Sequence, residues 1–244
     1  AVVSPKPQTT RTKIMGVLTE NDVQLVFTDT PGFHRPRTKL GEKMVKAVSD
    51  SISGVDACLF VVEPSGELRD AEKDLLGKFK KEKMPVILAI NKIDSVKQKE
   101  LLIERMAQFS ALYDFEAIVP CSALKGDGFG ELKDELFKQS QPSPHFFPDD
   151  TLTDQPERVI AAEIIREKLL NLLDDEVPHG VGVEILGMKK VNDNLMEIHA
   201  DIYCERDSHK AIIIGKQGRI AKAIRTIVRA GTNKSGGRAT VEID

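Results

Sequence analysis

Residues 23–36, VQLVFTDTPGFHRP, carry an apolar run into Asp29-Thr30-Pro31-Gly32 and then into a basic loop. The run predicts a strand. Just before it, TKIMGVLTE ends at Asn21-Asp22, residue types that tolerate the left-handed backbone of tight turns, so a hairpin is expected. After the basic loop the period changes to a helical one, with Leu40, Met44, Ala47, Val48 and Ile52, and Gly54 ends it. ACLFVVE then follows as a continuous apolar strand of the kind covered on both faces. A helix over 68–81, a strand VILAIN, a helix over 96–113, a strand EAIVPCSA and a helix over 129–139 continue the alternation. Such alternation predicts an α/β fold built on a mainly parallel sheet wrapped by helices.

The pattern breaks at QPSPHFFPDDTLTDQP, Gln141 to Pro156, where four prolines and several turn formers leave no period. Beyond it, Val159, Ile160, Ile164, Ile165, Leu169, Leu172 and Leu173 line one face of a helix. Strands GVGVEILGM and NLMEIHADIYCE come next, then Ile212 to Ile214, the pair Gly215 and Gly218, a helix over 220–230 and a last strand, ATVEID. The expected organisation is one domain over 1–140, a linker over 141–156 and a smaller α+β domain over 157–244.

Composition narrows the class. Of 244 residues, 41% are apolar and 30% charged, which fits a soluble globular chain rather than a disordered one. A net charge of -3 gives no overall bias toward nucleic acid, so any basic surface must be local. Three widely spaced cysteines suit neither a disulfide framework nor a zinc site, and His145, His179, His199 and His209 share no metal spacing. The apolar runs are far shorter than the roughly 20 residues a span needs, and a cytosolic setting is expected.

Three polar motifs fall just past the carboxyl ends of predicted strands, where open parallel sheets bind ligands. Asp29-Thr30-Pro31-Gly32 follows the strand from Val23, Asn91-Lys92-Ile93-Asp94 follows VILAI, and Ser122-Ala123-Leu124-Lys125 follows the strand ending at Cys121. A carboxylate at Asp94 accepts from the paired donors of guanine and rejects adenine, which lacks them. Asn91 either binds the opposite edge of the base or ties the loops together. The stem of Lys92 suits the ring face, and the Ala123 amide suits the guanine oxygen. Asp29 suits Mg²⁺ through water, and the unobstructed Gly32 amide suits a γ-phosphate. Singly these motifs are common turn formers; their order and placement together are not.

With PQTTRTKIMGVL, DTPGFHRP, NKID and CSALKGDG quoted together, residues 1 to about 140 resemble a translation-factor-class GTPase domain and are similar to the Era family. The resemblance implies a GTP/GDP switch with Mg²⁺, with PQTTR as the first switch segment and Thr10 as the metal-binding threonine, Thr9 being its rival. It implies nucleotide contacts from Thr30, Pro31, Phe33 and Leu124 as well. Phe33 stands where many GTPases carry a water-orienting glutamine, so intrinsic hydrolysis is expected to be slow.

No stretch of the sequence reads G-x-x-x-x-G-K-[ST]; the Gly-Lys pairs at Gly77 and Gly215 continue with Phe and Gln. That loop ordinarily carries most of the phosphate binding. Either an N-terminal segment of the natural protein precedes Ala1, which is the expectation, or the chain is a relic that no longer binds phosphate and serves as an RNA-binding adaptor. On either reading the chain as written is expected to bind GTP poorly.

In the second domain, Gly215-Lys216-Gln217-Gly218-Arg219 lies between two predicted helices and resembles the loop of a type II KH domain. Positions without side chains let a helix-joining loop approach a sugar-phosphate backbone. From Lys210 to Arg238 the chain carries Lys210, Lys216, Arg219, Lys222, Arg225, Arg229, Lys234 and Arg238 with no acidic residue. A solvated face ordinarily mixes the signs, so RNA binding by this stretch is expected. Single-stranded RNA is the natural ligand. The Era resemblance implies ribosomal RNA of the small subunit as target, a role in small-subunit assembly, a monomer, and peripheral association with the cell membrane. It weakens after GKQG, where RIAKAIRTIVRAGTNKSGGRATVEID looks more like a small stand-alone KH protein.

Overall fold

A computed structural model of the chain describes residues 14–29, 54–173, 181–192, 195–214 and 238–242. The chain divides into two compact units, one spanning Met15–Thr153 and the other holding the chain from Asp154 onward. The helices expected over 40–52 and 220–230 lie outside the described residues.

In the first unit, β1 (Ile14–Glu20) and β2 (Val23–Asp29) form a two-stranded sheet. Asn21, at φ 53°, supplies the left-handed residue of the turn that its type predicts. A separate three-stranded sheet contains β3 (Cys58–Val62), β4 (Val86–Ile90) and β5 (Ala117–Pro120) in the order β3-β4-β5, all parallel. Helices α1 (Asp70–Glu82) and α2 (Lys99–Ser110) join them, and α3 (Phe129–Lys138) follows β5. Phe79 and Leu75 of α1 and Phe109 of α2 pack on Val62, Val86, Leu88 and Ile90, while Leu132 of α3 covers Ile87, Ala89 and Val119 from the other side. Because β4 is central and sandwiched between helices, no residue in it exceeds 1% exposure, and its sequence needs no polar alternation.

The strand ACLFVVE, expected to be covered on both faces, is covered on one by α1 and α2 among the described residues. Val61 is 53% exposed, because α3 packs over β4 and β5 and, among the described residues, no helix covers β3 on that side. A buried ion pair stiffens the other side: Arg105 of α2, 3% exposed, reaches Glu72 of α1 at 3.4 Å and donates to the carbonyls of Glu63 and Gly66. The Glu72 carboxylate also accepts the Arg69 amide at 2.8 Å, capping the start of α1.

The stretch 141–156 contains neither helix nor strand, yet it is fastened. The Gln24 side chain accepts the amides of Phe146 and Phe147 at 2.9 Å each and donates to the Phe147 carbonyl at 2.9 Å. Farther on, the Val17 amide donates to Leu152 and the Thr153 hydroxyl to Met15.

The second unit runs α4 (Glu157–Leu172), β6 (Val181–Asn192), β7 (Leu195–Cys204), α5 (Asp207–Ile214) and β8 (Arg238–Glu242). Its sheet has the order β6-β7-β8, with β6 antiparallel and β8 parallel to β7. Ile165 and Leu169 of α4 meet Val181, Ile185, Ile198 and Ile213 in one apolar cluster. Among the described residues no helix is long and apolar enough to cross a membrane.

Candidate functional site

Two loops meet past the carboxyl ends of β4 and β5. Asn91 leaves the buried β4 with its amide bonded to the Val62 carbonyl at 2.9 Å, which fixes the exit beside β3. The chain then turns sharply at Lys92 (φ 69°, ψ 33°) into a short 3₁₀ turn, Ile93–Ser95. The Ser95 amide and hydroxyl both donate to the Lys92 carbonyl, at 2.9 and 2.7 Å, so the turn is closed on itself. That turn presents Asp94 to solvent.

The second loop starts at Ser122, which is fully buried. Its amide donates to the Asp127 carbonyl at 2.9 Å, and the amide of Gly126 donates back to Ser122 at 2.8 Å. Gly128 closes the loop at φ 74°, where a Cβ would lie 2.3 Å from the Pro120 carbonyl oxygen. Only glycine fits against the end of β5 there.

Side chains stitch the two loops together. The Ser122 hydroxyl donates to Asp94 Oδ1 at 2.5 Å, and Asn91 Oδ1 accepts the amides of Ala123 and Lys92 at 2.9 and 2.8 Å. Of the two roles open to Asn91, the structure therefore shows the loop tie. The Ala123 amide, expected to face the base, donates to Asn91 in this structure. The Ser122 bond, helped by the charge of Lys125, holds the Asp94 carboxyl below its usual range, so it is an ionised acceptor at neutral pH. Leu124 stands 84% exposed at the rim.

Sequence reasoning missed Glu63. Its carboxylate bonds Lys92 Nζ at 2.7 Å, an exposed pair whose hydrogen bond and charge lower the Glu63 pKa. The signal was available in the register: Val62 pairs with Ile90 across parallel strands, so the residues after them emerge side by side. An ionised carboxylate with Oδ1 anchored on Ser122 is an acceptor of the kind that the paired donors of guanine require. Asp29 sits at the end of β2. Among the described residues no group of three His, Cys, Asp or Glu could hold a metal ion.

The other anticipated site residues fall elsewhere. Thr10, Thr30, Pro31, Gly32 and Phe33 lie outside the described residues, as do Gly215, Lys216, Gln217, Gly218, Arg219, Lys222 and Arg225. The backbone of Lys210 belongs to α5, which runs up to Ile214, the residue before the glycine pair.

Comparison with known proteins gives the class. A family model described as a 50S ribosome-binding GTPase matches residues 1–92, and a KH-domain model matches residues 176–244. The fold and site thus define a GTPase domain followed by a KH domain. GTPase Era of Ruminiclostridium cellulolyticum is 49% identical over 229 residues, covering 94% of this chain and 76% of that protein. GTPase Era of Clostridioides difficile is 48% identical over 225 residues, 92% of this chain and 76% of the relative. Among solved structures, an Aquifex aeolicus Era variant bound to GDP and aluminium fluoride superposes with a TM-score of 0.91 at 34% identity, covering 99% of this chain and 83% of that one. Era in complex with MgGDPNP and nucleotides 1506–1542 of 16S ribosomal RNA gives 0.89, with the same identity and coverage. The chain belongs to the Era family of GTPases.

Proposed function

We propose that the protein is a GTP-dependent switch that binds small-subunit ribosomal RNA through its KH unit and acts in small-subunit assembly. The observation that carries this reading is the Asp94–Ser122–Asn91–Ala123 cluster, a prepared base-reading edge with an anchored, ionised carboxylate. The solved Era complex with MgGDPNP and a 16S RNA segment supports the extension to RNA.

In this proposal Asp94 selects guanine, Asn91 and Ser122 hold the two loops in place, and the stem of Lys92 flanks the ring. Leu124 and Ala123 shape the rim. Asp29 and Thr10 hold Mg²⁺, with the amide of Gly32 on the γ-phosphate and Thr30, Pro31 and Phe33 in the same segment. Mg²⁺ supplies charge neutralisation to the phosphates when bound. A phenyl ring at Phe33 cannot hydrogen-bond water, so intrinsic turnover is slow. The KH surface comprises Lys210, Gly215, Lys216, Gln217, Gly218, Arg219, Lys222 and Arg225. Residues 1–140, 141–156 and 157–244 serve as nucleotide domain, linker and RNA domain. A cytoplasmic monomer with peripheral membrane contact completes the reading, and light scattering with and without anionic vesicles tests that part.

The central test is nucleotide preference. Asp94→Asn in the full-length protein replaces an acceptor by a group that also donates, which suits the extra carbonyl of xanthine. The parent should bind GTP far more tightly than xanthosine triphosphate, and the variant should reverse that order. An unchanged preference for GTP overturns the assignment.

A further inference from the structure

The β1–β2 hairpin lies, in sequence, between the two segments proposed to meet the γ-phosphate. It starts four residues after Thr10 and ends at Asp29. The structure shows what else holds this hairpin. On one side Lys133 of α3 bonds both carboxylate oxygens of Glu20, at 2.9 and 2.8 Å. On the other, residues 145–153 run along it, fastened at Gln24 and at Gly16–Val17 by partners more than 120 residues away in sequence, with the His145 ring also meeting the Asp22 backbone at the turn.

The first fastening is Gln24. Its amide group uses both its acceptor and its donors: Oε1 takes the Phe146 and Phe147 amides, while Nε2 gives to the Phe147 carbonyl and to Thr19 Oγ1 at 3.0 Å. The second is an antiparallel bridge between Gly16 and Thr153, with the Val17 amide on Leu152 at 2.9 Å and the Thr153 hydroxyl on Met15 at 2.5 Å. Of the large apolar side chains of the strap, Phe146 and Leu152 stand 77% and 78% exposed and Phe147 is half-buried, so hydrogen bonds to one strand register do most of the holding. Such an attachment depends on the position of a few backbone groups and lets go when the register shifts.

We infer that residues 145–153 form a nucleotide-sensitive strap, fastened by Gln24 to the hairpin between the two switch segments, through which the state of the phosphate site reaches the chain leading into the second unit. The inference rests on the proposed switch role of Thr10 and Asp29 to Gly32. With both ends of the hairpin held at a γ-phosphate, the strap stays fastened. With the γ-phosphate gone, the hairpin shifts and the Gln24 bonds open.

Hydrogen exchange on the full-length protein tests this directly. The amides of Phe146, Phe147 and Val17 should exchange at least fivefold more slowly with a non-hydrolysable GTP analogue than with GDP. Gln24→Leu should abolish that difference at Phe146 and Phe147 while nucleotide affinity stays within twofold of the parent, a split that general destabilisation would not give. Thr153→Val, which keeps the side-chain shape and loses the hydroxyl, should reduce it as well. Equal or inverted rates in the two nucleotide states of the parent overturn the inference. Affinity for an oligonucleotide of 16S nucleotides 1506–1542, measured in parallel, separates the two proposals. If the exchange difference is present and RNA affinity does not follow the nucleotide, the strap stands and the nucleotide-to-RNA switch falls.

Discussion

Ser122 shows how little freedom the proposed base-reading edge has. It is wholly buried, its amide and carbonyl close its own loop, and its hydroxyl is spent on Asp94. Ser122→Ala leaves the loop closed through the backbone, frees the carboxylate and removes one of the two acceptors of the Lys125 amide, which keeps the Ser122 carbonyl. The cost should therefore appear in nucleotide affinity, with GTP binding of the full-length protein reduced roughly tenfold or more, as for one hydrogen bond to a charged group, and with thermal stability nearly unchanged. His145 offers a second local check. The Asp149 carboxylate, bonded to its ring at 2.7 Å, raises its pKa, and the Asp22 backbone and charge act in the same direction. A raised folded-state pKa means that the ring favours the protonated form: its contribution to stability is full below about pH 6.5 and is lost as pH rises through the higher folded value. An NMR titration should place His145 above the ordinary histidine value, and Asp149→Asn should bring it down.

Among the elements, α2 does more than its apolar spacing announces. Arg105 lies in a stripe otherwise given to core residues, stacks 4.6 Å over Phe109, and ties α1 and the loop after β3 to α2. Removing it leaves Glu72 buried with only the exposed Arg69 as partner. Arg105→Met should cost about 3 kcal/mol in denaturant unfolding, and adding Glu72→Leu should recover part of that loss. This pair was not legible in the sequence, because a lone Arg and a lone Glu more than 30 residues apart look like ordinary surface charge. The strands were legible for the opposite reason: VILAI admits no polar residue because helices cover both faces of β4. At ACLFVVE the same apolar run includes Val61, which is half exposed, since an apolar run by itself does not tell a central strand from an outer one. The site was legible in its residue types, because NKID and CSAL follow strands whose ends a parallel sheet must bring together. The partners were not. Asn91 spends its oxygen on Ala123, and Glu63 meets Lys92 only once strand register is known.

Across the full chain, charge of opposite sign is kept apart: the total is -3, yet the stretch from Lys210 to Arg238 carries eight basic residues and no acidic one. RNA binding through such a stretch releases counterions, with a slope of about -0.7 per phosphate neutralised on single strands. With about four phosphates engaged, affinity for the 16S oligonucleotide should fall roughly 50-fold between 50 and 200 mM salt, and Lys216→Ala should flatten that dependence. A slope near zero would place the binding on stacking alone.

The parallel pairing of β8 with β7 also bears on the order in which the protein matures as it is made. The three described strands of the β3-β4-β5 layer are present once residue 120 has been synthesised, and α3 is complete at residue 138. The second sheet must wait for residues 238–242, which close it from the far end of the chain. A nascent chain should thus carry the finished Asp94–Ser122 edge well before it can finish the sheet of its KH unit, so on the proposed roles guanine recognition precedes RNA capture at birth.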